Sequence, residues 1–377
     1  MKQIPECFET TPIVYAVGNQ YQIMVPVLSE TLMWVEVDGQ CYYDDVNGII
    51  RSNCTTHRMT VPMDVLNRAG GYTVCYRIVQ ERKPYFSLVE DVCRYEVSFR
   101  PVKEGNLRFY HISDTHNAIE KPVASAKVFG DMDFLVLNGD LPNHSGDIAN
   151  FATIHKIAAE ITGGEIPVVF SRGNHDMRGI YAEKIADHTP TDHGNAYYTF
   201  RLGDFWGLIL DCGEDKLDDH PEYGFTVCCA DFRRRQTEFI ADVIRRASVE
   251  YAAEGVTKRV VISHVPFTER YHAPFNIEED TYAGWTKTIG EKIQPQLMMF
   301  GHIHRVYVTR PGGEKDAYGQ NCPVVVGSSP KALFVPELET PVEEDVFVGA
   351  GFDWNENGCT VSFCGSNGQV LRAEKLF

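Results

Sequence analysis

Residues 107–116 read LRFYHISDTH, an apolar run that closes on Asp114-Thr115-His116. A short run such as Leu107–Ile112, bounded by polar positions, predicts a strand buried in a sheet. Asp114 and His116, two apart just past its end, can both face one cleft. Four more segments follow in order: Gly139-Asp140, Gly173-Asn174-His175-Asp176, His264 and Gly301-His302-Ile303-His304. Four of the five directly follow a short apolar run, so carboxylates, imidazoles and one carboxamide recur at strand ends. Any one segment is weak; their order and context carry the reading.

Outward from these segments the chain alternates strand and helix. Apolar runs at Phe134–Leu137, Pro167–Phe170, Phe205–Leu210, Val260–Ile262 and Leu297–Phe300 predict strands. Ser125–Val128, Ile148–Ile161 and Arg233–Ala253 predict helices between several of them. The tail from Pro323 returns to β. Residues 104–377 are therefore expected to form an α/β layered domain whose strand-end loops carry the site. Residues 1–103 have a different texture. Tyr21–Val27, Thr31–Val37, His57–Val61, Tyr72–Val79 and Arg94–Phe99 are short runs of Val, Ile, Tyr and Thr, punctuated by Asp38-Gly39, Asn47-Gly48 and Gly70-Gly71. This predicts an N-terminal all-β sandwich of the immunoglobulin/fibronectin-like kind, with a short helical turn at 62–69.

The 377 residues suit two domains. With 44% hydrophobic and 23% charged residues the composition is that of a globular protein, and no stretch is apolar for long enough to cross a membrane. Pro5, Glu6 and Glu9 stand where a signal peptide would carry its apolar core, and an odd eleven cysteines favour free thiols, so a cytoplasmic location is expected. The net charge of −17 is uneven. To residue 103 there are 10 Lys+Arg against 12 Asp+Glu, which leaves 25 against 40 for the remainder. Such an acidic surface disfavours a polynucleotide partner.

The five segments contain what two hydrolytic metal ions need: hard or borderline donors, an anion to bridge them, and room for water. Asp114, His116, Asn174, His264, His302 and His304 are candidate ligands, and Asp140, with two carboxylate oxygens, is the natural bridge. Two carboxylates against two divalent ions leave a cleft that attracts phosphate despite the acidic surface. Coordination would also lower the pKa of water to roughly 7. A small phosphorylated substrate is the expected partner; oligomeric state is left open.

In block order and content the series resembles the calcineurin-like metallophosphoesterase superfamily, over about residues 105–365. The resemblance implies the layered α/β sandwich of that superfamily. It also implies two divalent metal ions, one held by Asp114, His116, Asp140 and His304, the other by Asp140, Asn174, His264 and His302. His175 would then face the substrate, protonating the leaving oxygen or stabilising the transferring phosphoryl group. A β-sandwich ahead of the catalytic domain also resembles purple acid phosphatases. The chain departs from them at Asp140-Leu141-Pro142-Asn143, which lacks their tyrosine ligand, and at His116, where they have Asp. Mn²⁺, Fe²⁺ or Zn²⁺ at both positions is the expectation.

The leading expectation is thus an enzyme, a two-metal phosphohydrolase that cleaves small phosphomonoesters or phosphodiesters through metal-bound hydroxide. A non-catalytic scaffold of the same fold, or a nuclease, are the alternatives. Arg172 and Arg178 flank the Gly-Asn-His-Asp loop, with Arg178 the better candidate for gripping a phosphate, a surface salt bridge being the other reading. Asn117 is a candidate pocket residue. Glu214–Asp219 reads as a solvated acidic loop, Arg233-Arg234-Arg235 as the outer face of a helix, and the aromatics after His264 mainly as loop packing.

Overall fold

The computed structural model describes residues 3–277, 279–332 and 345–377. Its centre is built from strands that are buried on both faces. Along Phe134–Asn138, Phe134 and Val136 point into one core while Leu135 and Leu137 point into another. That two-sided burial explains the continuous apolar runs.

Two sheets face one another. The first has nine strands, in the order Val370–Lys375, Gly358–Gly365, Val348–Asn355, Leu107–Ile112, Phe134–Asn138, Pro167–Ser171, Ile13–Val17, Gln20–Pro26 and Thr56–Pro62. The second has six: Tyr198–Leu202, Phe205–Leu210, Lys258–Ser263, Leu297–Phe300, Val324–Val326 and Tyr307–Thr309. Pairing is parallel at the centre of both sheets and antiparallel at their edges. Phe109 anchors the core between them. It stacks on Phe134 and Phe352 at 4.9 and 4.7 Å and meets Phe205 of the opposite sheet at 5.5 Å. Helices Glu120–Phe129 and Ala152–Thr162 cover the outer face of the first sheet through Ala126, Ile154 and Ile157. Cys229–Arg245 and Glu279–Thr288 cover the second through Ile240, Val243, Tyr282 and Trp285. The layers run helix, sheet, sheet, helix.

The N-terminal region differs from the expectation of a separate sandwich. Two sheets do face each other there: Ile23 and Val25 share a core with Met33, Val35, Val74 and Val97 of a sheet made by Thr31–Val37, Gln40–Tyr43, Gly71–Glu81 and Cys93–Ser98. One of the two, however, is the edge of the nine-stranded sheet, because Val14 and Tyr15 pair in parallel with Pro167 and Val168. Hydrogen-bonded pairing therefore crosses the expected boundary at residue 103. The strand responsible, IVYAV at Ile13–Val17, is buried at every position. Its local pattern carries no information about a partner more than 150 residues away. Glu279–Thr288 is a helix where loop is expected, and the expected Arg233–Ala253 helix both starts and ends earlier, as Cys229–Arg245.

A chain starting at residue 104 would bare the edge of Pro167–Ser171. It is expected to aggregate or melt without a cooperative transition by size-exclusion chromatography and circular dichroism. A soluble fragment with a sharp melt would establish an independent unit with its boundary at 103.

Candidate metal centre

Parallel strands end together, so the loops after Leu107–Ile112, Phe134–Asn138 and Pro167–Ser171 converge on those after Lys258–Ser263 and Leu297–Phe300 of the facing sheet. These loops carry the sequence-predicted residues. The backbone there is unusual: Asp114, His116, Asp140, His302 and His304 all have positive φ, between 44° and 68°. Non-glycine residues adopt this region at a cost of about 1–3 kcal/mol each, and such strain collects at functional sites. Glycines make the approach possible. A Cβ on Gly139 would lie 2.5 Å from the Gly173 nitrogen and 2.8 Å from the His264 ring, and one on Gly173 would collide with the Asp140 carboxylate.

The donor atoms form three overlapping groups, Asp114 with His116 and His304, Asp140 with His264 and His302, and, joining these two, His116 with Asp140 and His175. His264 donates through Nδ1 to the Asn138 carbonyl at 2.7 Å, which leaves Nε2 facing Asp140 Oδ2 at 3.0 Å and Asp114 Oδ1 at 3.8 Å. His304 Nε2 lies 3.4 Å from Asp114 Oδ1 and 2.9 Å from His116 Nε2. The Asn174 amide can be read in two orientations. With nitrogen toward His302 it donates to Nδ1 at 3.0 Å; with oxygen there, two acceptors face each other at that distance, as donors sharing a cation do. Asp114, Asp140, Asn174 and His264 are at most 1% exposed, whereas the His304 side chain is 38% exposed, so the centre opens on one side.

Electrostatics record the same crowding. Burial holds His116 and His302 down at about 4. Burial opposes the charge of His264 too, but the Asp140 and Asp114 carboxylates raise it to about 10. Both carboxyls are in turn held below the usual range: burial pushes them up and His264 pulls them further down. With no cation supplied, the protein places an imidazolium between two buried carboxylates. Divalent ions fit this donor set: two buried anions, with His116, His264 and His304 within 2.9–3.8 Å of them or of each other, and no Lys or Arg in direct contact with those anions among the described residues.

Around the centre, His175 donates its backbone N–H to Asp140 Oδ1 at 2.8 Å, and its Nδ1 donates to the Asn143 carbonyl at 2.7 Å. This orienting partner was invisible in the sequence. Asn117 sits behind it, its Oδ1 accepting the Asn143 N–H at 3.0 Å, so its contact is with the loop that holds His175. Arg178 reaches His175 Nε2 at 3.3 Å while paired with Glu214 at 2.8 Å and Asp215 at 3.1 Å. Arg172 is committed to the buried Asp211 at 2.6 Å. The acidic run is a correction to the solvated-loop reading. Glu214, Asp215 and Lys216 are buried, Tyr223 donates to both carboxylates, and Asp215 stands 3.7 Å from His302 Nε2. Arg233 is also buried, donating to the Cys212 and Glu214 carbonyls, and only Arg234 and Arg235 face outward. All eleven cysteines are unpaired, and among the described residues no helix is long and apolar enough to cross a membrane.

The model of the calcineurin-like phosphoesterase family matches residues 107–306, more than half of the chain and every segment of this centre. The chain belongs to that family. Calcineurin-like phosphoesterases are commonly metal-dependent phosphoester hydrolases, and the donor groups here agree with metal binding. No curated protein matches in sequence. Among solved structures, the purple acid phosphatase PPD1 from seeds of yellow lupin (Lupinus luteus) superposes with a TM-score of 0.60 at 14% identity, over 97% of this chain and 74% of that one. PhoD superposes with a TM-score of 0.54 at 10% identity, over 100% of this chain and 94% of that one. At these identities the likeness is one of fold.

His264, at about 10, is protonated at pH 7 in the metal-free protein and must lose its proton to bind a cation. Loading metal at pH 7 is therefore expected to release at least one proton per chain, read by calorimetric titration in buffers of different ionisation enthalpy. His264→Asn should release fewer. Buffer-independent heats in the unaltered chain would contradict this electrostatic picture.

Proposed function

We propose that this calcineurin-like phosphoesterase is an enzyme that hydrolyses small phosphoesters with two divalent metal ions, Mn²⁺, Fe²⁺ or Zn²⁺. The observation that carries the reading is the Asp140 carboxylate, which clusters with His264 and His302 on one side and with His116 and His175 on the other. Asp114, His116, Asp140 and His304 would hold one ion, and Asp140, Asn174, His264 and His302 the other. When bound, the pair supplies acidified water and neutralises charge on the phosphoryl oxygens.

The chain's own residues supply orientation and proton control. The Asn143 carbonyl fixes the His175 tautomer with the proton on Nδ1, so that Nε2 is the atom presented to the cleft. His175 Nε2 would stabilise the transferring group or, when protonated, give the proton to the leaving oxygen. Arg178 steadies that ring while Glu214 and Asp215 restrain it, a positioning role in place of the expected grip on phosphate. Beside His302 lies a cavity of about 240 Å³ walled by Val265, Tyr271, Phe275, Tyr282 and Ile303. It suits an apolar or aromatic leaving group. The nuclease alternative has little support: Arg234 is paired with Asp231 and Glu238, and Arg233 is buried.

The test is turnover of paired chromogenic phosphomonoester and phosphodiester substrates after metal removal and Mn²⁺ reconstitution. Metal-dependent hydrolysis of either supports the reading, and the ratio assigns the ester class. A metal-loaded chain inert toward both, and toward natural phosphometabolites, would favour the scaffold. His175→Ala is expected to keep its metals and lose roughly 10²–10⁴-fold in kcat; unchanged turnover would remove His175 from the mechanism. Phe275→Ala should raise KM for an aryl ester more than for an alkyl ester, and equal effects would separate the cavity from the leaving group.

A further inference from the structure

A second constellation of cation donors lies outside this centre, where the edge strand Thr56–Pro62 of the nine-stranded sheet passes Thr31–Val37 of the facing sheet. His57 is fully buried and Asp44 is 4% exposed. His57 Nδ1 faces Asp44 Oδ2 at 2.7 Å, and Cys54 Sγ lies 3.6 Å from His57 Nδ1 and 3.9 Å from Asp44 Oδ2. Zinc bound tetrahedrally, with Zn–S about 2.3 Å and Zn–N and Zn–O about 2.0 Å, sets donor separations of roughly 3.3–3.6 Å. The two sulfur separations are within a few tenths of an ångström of that range, but Sγ also lies 3.7 Å from His57 Nε2 and so sits over the ring face; binding therefore requires Cys54 to swing toward the Nδ1 edge and the Asp44–His57 contact to open by about 0.6 Å.

Each donor is backed by a further contact of the kind that orients metal ligands. His57 Nε2 meets Thr31 Oγ1 at 2.8 Å, so Nδ1 can turn its lone pair toward a cation while Nε2–H donates to the threonine. The other Asp44 oxygen, Oδ1, is held by Arg51 Nη1 at 3.5 Å, leaving Oδ2 toward the cluster. A cavity of about 470 Å³ lined by Arg51, Cys54, Thr56, Tyr181 and Lys184 reaches the cysteine and offers an entry path. Nothing in the phosphoesterase chemistry uses these residues.

We propose that Asp44, Cys54 and His57 form a separate metal site for a borderline divalent cation of the zinc class, with water as the fourth ligand. The site clips the edge of the central sheet to the facing sheet.

The metal centre at the strand ends has no sulfur ligand, which makes the two sites separable. Titrating the full chain with cobalt(II) is expected to produce a thiolate-to-cobalt charge-transfer band that is absent from Cys54→Ser and at least tenfold weaker in apparent affinity in His57→Asn. No such band at saturating cobalt overturns the proposal. So does a band that survives in Cys54→Ser, which would belong to the exposed Cys41, Cys93 or Cys228. A second measurement needs no variant: zinc should protect Cys54 of the unaltered chain from alkylation, located by peptide mass. Alkylation of Cys54 at the same rate with and without zinc also overturns it.

Discussion

The Asp140 carboxylate ties the candidate centre together. Its Oδ1 accepts the His175 N–H, its Oδ2 faces His264 from the opposite sheet, and its backbone carbonyl accepts the His116 N–H. Four of the five loops thus meet on one residue, whose own backbone is held at φ 54°. Asp114 repeats the pattern, accepting the His302 N–H at 3.0–3.1 Å while its own N–H donates to the Gly139 carbonyl. Two buried carboxylates close together are stable only with compensating positive charge. Here His264 supplies it in the metal-free chain, and the same atoms suit divalent cations.

That constraint explains the surroundings. Glycines at positions 139, 173 and 301 stand where a Cβ would strike a ligand or its loop. The stacked Phe109, Phe134 and Phe352 lie under the loops in the core that both sheets share, so the strand ends are set by packing that does not itself touch the centre. The strained backbone of five donors is held by hydrogen bonds between loops, such as Asn117 N–H to the Leu141 carbonyl at 2.8 Å.

Much of the site could be read from the chain because its residue types are unusual for the places they occupy. Asp, Asn and His directly after apolar strands make little sense as core or as surface, and the structure brings all seven candidate donors together. Its supports were harder to read. Glu214 and Asp215 look like any acidic loop until Arg178 and Tyr223 are seen to bury them. Arg233 looks like one of three outward arginines until it is found donating to buried carbonyls. Partners of this kind are 8 to 37 residues away and answer to three-dimensional proximity alone.

By itself the sequence determined the layered α/β character and the order of the strands that carry the centre, and it supplied the candidate donors, because strand burial and side-chain chemistry both act through residue type and local spacing. Tertiary structure alone decided which strands pair across the chain. Ile13–Val17 joins Pro167–Ser171, so the N-terminal region completes the central sheet instead of standing apart from it. It also decided that Asn143 orients His175, that Arg178 is restrained by buried carboxylates, and that Asp44, Cys54 and His57 meet between two sheets. The physical reason is common to all of these: a backbone carbonyl, a buried charge or a sheet edge has no signature in the residue that will meet it, and the match exists only once the chain has packed.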